Sequence, residues 1–237
     1  SDLATAFRVT HRAGFQTFTH AIGDAATRRV LNALRQAGAA RWRDARPVIT
    51  HLQIVRTQDI RRMRHLGVVA SVQPFWHMKE PQWWNRVDAT MLGVRRATRE
   101  YPLRRLFDEG LVVASSSDHP ITVHPNPLVA IEIGVTRNLA AAAWYGVADI
   151  TRADSKRYLL GKGQRVSVER MLASYTRHGA FLMRCENECG ALLPGLSADF
   201  IVLDRDPRSV PPIEIESCSV LRTYFCGRMV WDSASGT

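Results

Sequence analysis

Four polar residues stand where short apolar runs stop: His20 after FQTFT, His51 after PVIT, Gln73 after VVASV and Asp118 after LVVASSS. Each run is four to seven residues of apolar, β-branched or small side chains bounded by turn formers, which predicts a strand. Imidazole and carboxylate on separate strands can converge on one divalent ion and leave a position open for water. An ion held by His20, His51 and Asp118 would lower the pKa of its water toward about 7 and polarise a carbonyl, while the carboxylate takes the proton. That set is the minimum for metal-assisted hydrolysis. Simpler duties compete for each residue taken singly. A histidine at a strand end commonly bonds backbone, and an aspartate before His119-Pro120 is ordinary turn chemistry. His77 and His119 fall near the same strand ends and are candidate substrate contacts, whereas His11, His65, His124 and His178 fall in helices or loops and read as structural.

The elements between these residues alternate. Helical spacing of Leu3, Phe7 and Val9 predicts a first helix over 2–13, with Asp2 as cap, ended by Gly14. A strand over 15–20 follows, then a helix capped by Asp24 with Ala26, Val30, Leu31 and Leu34 on one face. Strand 47–52, a helix ending at Gly67 and strand 68–73 come next. Residues 74–99 carry Phe75, Trp76, Trp83 and Trp84 among polar residues and read as one large loop, with its aromatic part, 75–84, placed as a lid. Helix 101–110 leads into the strand at 111, and helices over 126–137 and 167–183 follow, the latter capped by Ser167. After Gly190 the pattern turns to short strands, closing in a hairpin at Cys226-Gly227. Strand–helix units followed by an all-β tail predict an α/β fold with a parallel sheet over 1–185 and a small β portion over 186–237. In parallel α/β folds, ligand sites collect at the carboxyl ends of the strands, where the four polar residues lie.

Composition removes several function classes. Of 237 residues, 46% are hydrophobic and 23% charged, an ordinary globular balance. The net charge is +10, carried almost wholly by arginine, since only Lys79, Lys156 and Lys162 are lysines. Those arginines are scattered and accompany no nucleic-acid-binding motif, so no nucleic-acid partner is expected. No apolar run approaches the roughly 20 residues of a membrane span and no signal segment opens the chain, which leads to the expectation of a cytoplasmic protein without a membrane partner. Cys185, Cys189, Cys218 and Cys226 lack the paired short spacings of a zinc site and read as free thiols.

The segments THAIGDAATRRVLNAL, VITHLQIVRTQDIRRMRHLGVVASVQP, LGVRRATREYPLRRLFDEGLVVASSSDHPI, NPLVAIEIGVTRN and GALLPGLSADFIVLDRDP occur in an order that resembles the amidohydrolase superfamily, in its amidohydrolase-3 branch. The resemblance implies a distorted TIM-like (β/α)8 barrel with a metal centre at the strand ends, plus a β-sandwich. It places His20 and His51 as the metal ligands of strands five and six, Gln73 at the end of strand seven, and Asp118 as the strand-eight aspartate that binds metal and acts as general base. It also implies a divalent ion, zinc by preference, and hydrolysis of a carbon–nitrogen bond in a small amide or cyclic amide. Gln73, His77, His119 and Trp84 are then expected to face substrate. The family's first strand carries a His-x-His pair, which occurs nowhere in this chain, and only four strand–helix units precede the β tail. The expected architecture is therefore the C-terminal half of the barrel, strands five to eight, with part of the sandwich. Such a half barrel has two open edges, and self-association is expected to cover them. The other functional class is a catalytically inactive fragment whose strand-end residues are inherited and idle.

Overall fold

The computed structural model describes residues 2–39, 42–148 and 150–236. Four strands, β1 (Phe18–Ala21), β2 (Val48–His51), β3 (Val69–Val72) and β4 (Val113–Ser115), form one parallel sheet in sequence order. Parallel neighbours need a crossover, and helices supply it. After α1 (Asp2–Arg12), α2 (Asp24–Ala37) links β1 to β2, and α3 (Thr57–His65) links β2 to β3. The third crossover is longer. It contains the short helices α4 (Ala89–Leu92) and α5 (Val94–Ala97) before α6 (Leu103–Asp108). The expected large loop over 74–99 thus holds regular turns, including a π-helical turn at Trp84–Asp88. They form because Phe75, Met78 and Trp84 are apolar enough to build local cores that a solvated loop would lack.

Binary patterning positions the sheet. Ile49, Ala70, Val72 and Val113 pack with Leu31 and Leu34 of α2, Ile60 and Met63 of α3, and Leu103 and Leu106 of α6 in one main core. The alternate residues of the middle strands include Thr50 and Ser71, which stand opposite each other in the register and share a hydrogen bond at 3.2 Å. β2 and β3 are buried along their length, whereas β1 is an edge with Phe18 54% exposed.

α7 (Pro127–Thr136) is apolar around most of its circumference and almost wholly buried, with Glu132 accepting a hydrogen bond from Glu216 N at 2.9 Å. A 3₁₀ segment at Pro212–Ser217 packs against it, so Ile215 and Cys218 join the main core and tie the chain's last part to the α/β layer. The helix expected over 167–183 is divided into α8 (Val168–Tyr175) and α9 (Arg177–Met183) at Thr176, which has φ −117° and ψ −101°. Side-chain competition for carbonyls explains the break: Ser174 Oγ donates to Met171 O and Thr176 Oγ1 to Leu172 O. Two start signals also differ in outcome. Ser167 caps α8 as expected, accepting from Arg170 N, but the cap of α2 is Gly23, with Asp24 in the first turn paired to Arg56 and Arg96.

The tail forms a three-stranded antiparallel sheet of β5 (Phe200–Leu203), β6 (Val220–Phe225) and β7 (Arg228–Asp232). The two-residue turn between β6 and β7 falls at Cys226-Gly227, both with positive φ, the geometry that matches strand twist in a tight hairpin. Phe225, Met229 and Val230 on this sheet are each more than half exposed.

Candidate functional site

The parallel register aligns the strand ends. His20 stands opposite Thr50, Ala21 opposite His51, and Val72 opposite Ser115, so side chains that follow these positions open on one rim. His51 ends β2 in a left-handed conformation (φ 74°), and Leu52 repeats it (φ 52°). Two consecutive non-glycine residues in this region cost about 1–3 kcal/mol each and persist where surroundings over-determine them. The backbone turn aims the His51 ring back across the rim. Its Nε2 lies 2.6 Å from His20 Nδ1, and its Nδ1 lies 3.0 Å from Gln73 Oε1.

The hydrogen-bond network assigns the tautomer. Thr50 uses its hydroxyl proton on Ser71 Oγ, so toward the Gln73 amide nitrogen at 3.2 Å it accepts. Gln73 Nε2 also donates to Ser116 Oγ at 2.9 Å, which turns its carbonyl oxygen toward His51. His51 Nδ1 then carries the proton and donates, and the Nε2 lone pair faces His20. A neutral imidazole whose second nitrogen donates to a fixed acceptor is the form in which histidine binds metal. A tetrahedral ion with nitrogens at about 2.0–2.1 Å needs them roughly 3.3 Å apart, so a ligating pair opens from the 2.6 Å seen here. His51 is 7% exposed and stacked on Trp76 (centroids 5.7 Å, 19°), whereas His20 is exposed on the edge strand and is the ring free to turn. The two histidines fit a divalent ion.

Asp118 lies three residues beyond β4, half-buried, with φ 56°. Among the described residues its carboxylate makes no hydrogen bond or ion pair, and no group of three or more His, Cys, Asp or Glu gathers as a metal centre. The structure brings His20 and His51 together and leaves Asp118 outside that pair. The expected substrate contacts divide in the same way. His119 is exposed beside Asp118. Gln73 is 2% exposed with its amide wholly engaged by protein groups, which makes it the residue that orients His51. His77 and Trp84 are buried, at 1% and 7% exposure, inside the crossover between β3 and β4. His77 stacks on Tyr101 at 4.6 Å, and Trp84 packs with Ala97, Tyr101 and Leu160. Phe75 is a core residue too, so of the aromatic residues expected in a lid only Trp83 is exposed.

Beneath this crossover lies a buried polar cluster that strand-end reasoning misses. Arg137, 0% exposed, donates from Nε to Leu160 O and from Nη2 to Glu100 O. The Glu100 carboxyl, also 0% exposed, accepts from Gln53 Nε2, which follows His51 by two residues. Burial, then the nearby Asp88 charge, raises the Glu100 pKa to about 8, while the Gln53 bond and Arg137 oppose the rise. Burial lowers Arg137 to about 9, and burial with the Arg137 charge holds His77 well below its usual value. Glu100 and Arg137 are 37 residues apart, and nothing local in the sequence marks them as one cluster.

A sequence profile of the amidohydrolase family matches residues 1–231. The chain belongs to the amidohydrolase family. It is 27% identical over 215 residues to the N-substituted formamide deformylase of Arthrobacter pascens, covering 90% of this chain and 36% of that protein. It is 29% identical over 224 residues to the protein LONG AFTER FAR-RED 3 of Arabidopsis thaliana, covering 93% and 35%. Among solved structures, an uncharacterized metal-dependent hydrolase of Pyrococcus furiosus superposes with a TM-score of 0.67 at 28% identity, covering 87% of this chain and 37% of that one. The chain spans 35–40% of the length of the curated relatives it matches. Among the described residues, no helix is long and apolar enough to cross a membrane.

Two outcomes follow from this geometry. Replacing Gln73 by Leu removes the acceptor that fixes the His51 tautomer and is expected to raise the fraction of His51 protonated on Nε2, with Gln73→Glu raising it less because an acceptor remains; the ring-nitrogen chemical shifts of His51 measure both. Glu100 titrates near its usual 4.5 when unfolded and at about 8 when folded. Its contribution to stability is therefore complete below pH 4.5 and falls as pH rises to 8, by up to about 1.4 kcal/mol per pH unit. Urea denaturation between pH 5 and 8 is expected to show that decline flattened in Glu100→Gln. Some slope remains, because burial raises Asp88 in the same direction.

Proposed function

We propose that these elements form the C-terminal portion, strands five to eight, of a metal-dependent amidohydrolase that cleaves a carbon–nitrogen bond in a small amide or cyclic amide. The observation that carries this reading is the His20–His51 pair, with the His51 tautomer held by Gln73. His20 and His51 would hold the divalent ion, and imidazole donors suit zinc among other transition metals. When bound, the ion supplies a polarised carbonyl and a water acidic enough to attack at neutral pH. Asp118 serves the proton. Its carboxylate has no partner among the described residues, so an oxygen is available to accept a proton from water and return it to the leaving nitrogen. His119, exposed next to it, meets the substrate, and Trp76 walls the His51 side of the rim. The formamide named in the Arthrobacter relative makes N-substituted formamides the first substrates to test. The second reading, a catalytically silent fragment, is favoured by the position of Asp118 outside the histidine pair.

Metal analysis separates the readings. Protein purified without chelator is expected to hold near-stoichiometric zinc or a similar ion, lost in the His20→Ala/His51→Ala variant. Asp118→Ala is expected to lower amide turnover about 10²–10⁴-fold while the fold persists by circular dichroism. Metal that ignores the histidine substitutions would remove the site, unchanged turnover would remove Asp118 from the mechanism, and metal-free, inert protein would establish the silent fragment.

We also propose that the open edge β1 and the exposed face of β5–β7 are covered by self-association, since paired edges and buried Phe18, Phe225 and Met229 are both favourable. Sedimentation at micromolar concentration is expected to show dimers or larger species, and a monodisperse monomer overturns the idea.

A further inference from the structure

Cys185 and Cys189 lie in the turn that follows α9. Both are half-buried free thiols, and their sulfurs are 3.4 Å apart, with Cys189 donating to Cys185. The backbone holds them there. Cys189 N donates to Cys185 O at 2.9 Å, closing one helical turn, and helical geometry sets the two Cα atoms roughly 6 Å apart, inside the about 4.4–6.8 Å window of disulfides. The turn is anchored on both sides. Glu186, between the cysteines, is paired with Arg46, whose guanidinium also covers the Phe181 ring at 3.8 Å. Gly190 follows with φ 95°, in a position where any side chain would strike Ala180. The other two cysteines are placed differently: Cys218 is buried in the main core, and Cys226 is exposed in the hairpin turn, where Ser197 Oγ approaches its sulfur at 3.5 Å.

We propose that Cys185 and Cys189 form a dithiol modification site that hydrogen peroxide converts to an intramolecular disulfide. Cys185, which accepts from Cys189 and whose own S–H points to Ala180 O at 3.6 Å, is the nucleophile that is oxidised first. Its thiolate attacks one peroxide oxygen, the oxygen–oxygen bond breaks, and the departing hydroxide takes up the proton lost from Cys185 and leaves as water, giving a sulfenic acid as the peroxide is reduced. The Cys189 thiolate then attacks that sulfur, and hydroxide leaves as a second water on taking the Cys189 proton. One peroxide is consumed, two thiols are oxidised by two electrons, and two waters are released. The hydrogen bond to Cys185 raises the Cys189 pKa, so Cys189 keeps its proton until the sulfenic acid is in place. Because the resulting ring lies within a single turn, the bond leaves the Arg46–Glu186 anchor in place and the reaction reverses with an added dithiol.

The test uses the whole chain with hydrogen peroxide. Samples are quenched with an alkylating agent under denaturing conditions and mapped by peptide mass. The expected result is loss of two alkylatable thiols in the peptide containing Cys185 and Cys189, with a mass lower by about 2 Da than the reduced peptide and full recovery in dithiothreitol. Cys189→Ser is expected to lose that product and leave Cys185 trapped as a sulfenic acid that a dimedone-type reagent labels. Labelling of Cys189 and not Cys185 in the complementary variants overturns the assigned order. Oxidation of Cys226 ahead of the pair, or both cysteines still alkylatable after Cys226 is consumed, overturns the site.

Discussion

The hydrogen bond from His51 Nδ1 to Gln73 Oε1 is the constraint on which the candidate site depends. It fixes which ring nitrogen holds the proton and therefore which one offers a lone pair to the rim. The bond can form only because three other conditions are met. β2 and β3 must be parallel and in register, so that Thr50 and Ser71 face each other. Thr50 must give its proton to Ser71, so that the amide of Gln73 has one orientation. The backbone at His51 and Leu52 must turn left-handed, so that the ring points across the rim rather than along the strand. Register, polar network and local strain thus converge on one side chain, and each is a property of a middle strand whose two neighbours are in place.

The crossover between β3 and β4 supports the rim from outside. Its apolar residues build two small cores, and its charged residues meet under them, where Arg137 binds two carbonyls from separate segments. A buried arginine is costly to desolvate, and here the cost is offset by the carbonyl dipoles of Glu100 and Leu160. At neutral pH Glu100 is mostly protonated, so the cluster keeps a single positive charge and a neutral acid instead of two buried ions.

Much of the α/β layer was legible in the sequence because periodicity reports burial, and burial decides these elements. The runs before His51 and Gln73, the hairpin at Cys226-Gly227 and the Ser167 cap all emerged where expected. What could not be read is set by partners distant in sequence. The break at Thr176 depends on hydroxyls competing for carbonyls, and the turns within 74–99 depend on a core built with Val129 and Ile133 of α7. Residue types at the strand ends identified His20 and His51, whose adjacency follows from parallel register. They also drew in His77 and Trp84, which the crossover buries, because proximity to a strand end says nothing about which way a following turn folds.

Arg137 also has a bearing on how the chain opens. Its guanidinium clamps the carbonyls of Glu100 and Leu160, which belong to segments about 60 residues apart in sequence. Neither segment can peel away alone without stranding a charged group in the interior, so the two are expected to detach as one cooperative unit. Protease sites around 98–101 and around 158–161 should accordingly become vulnerable together, on the timescale of that shared opening, although one segment leads into α6 and the other follows α7.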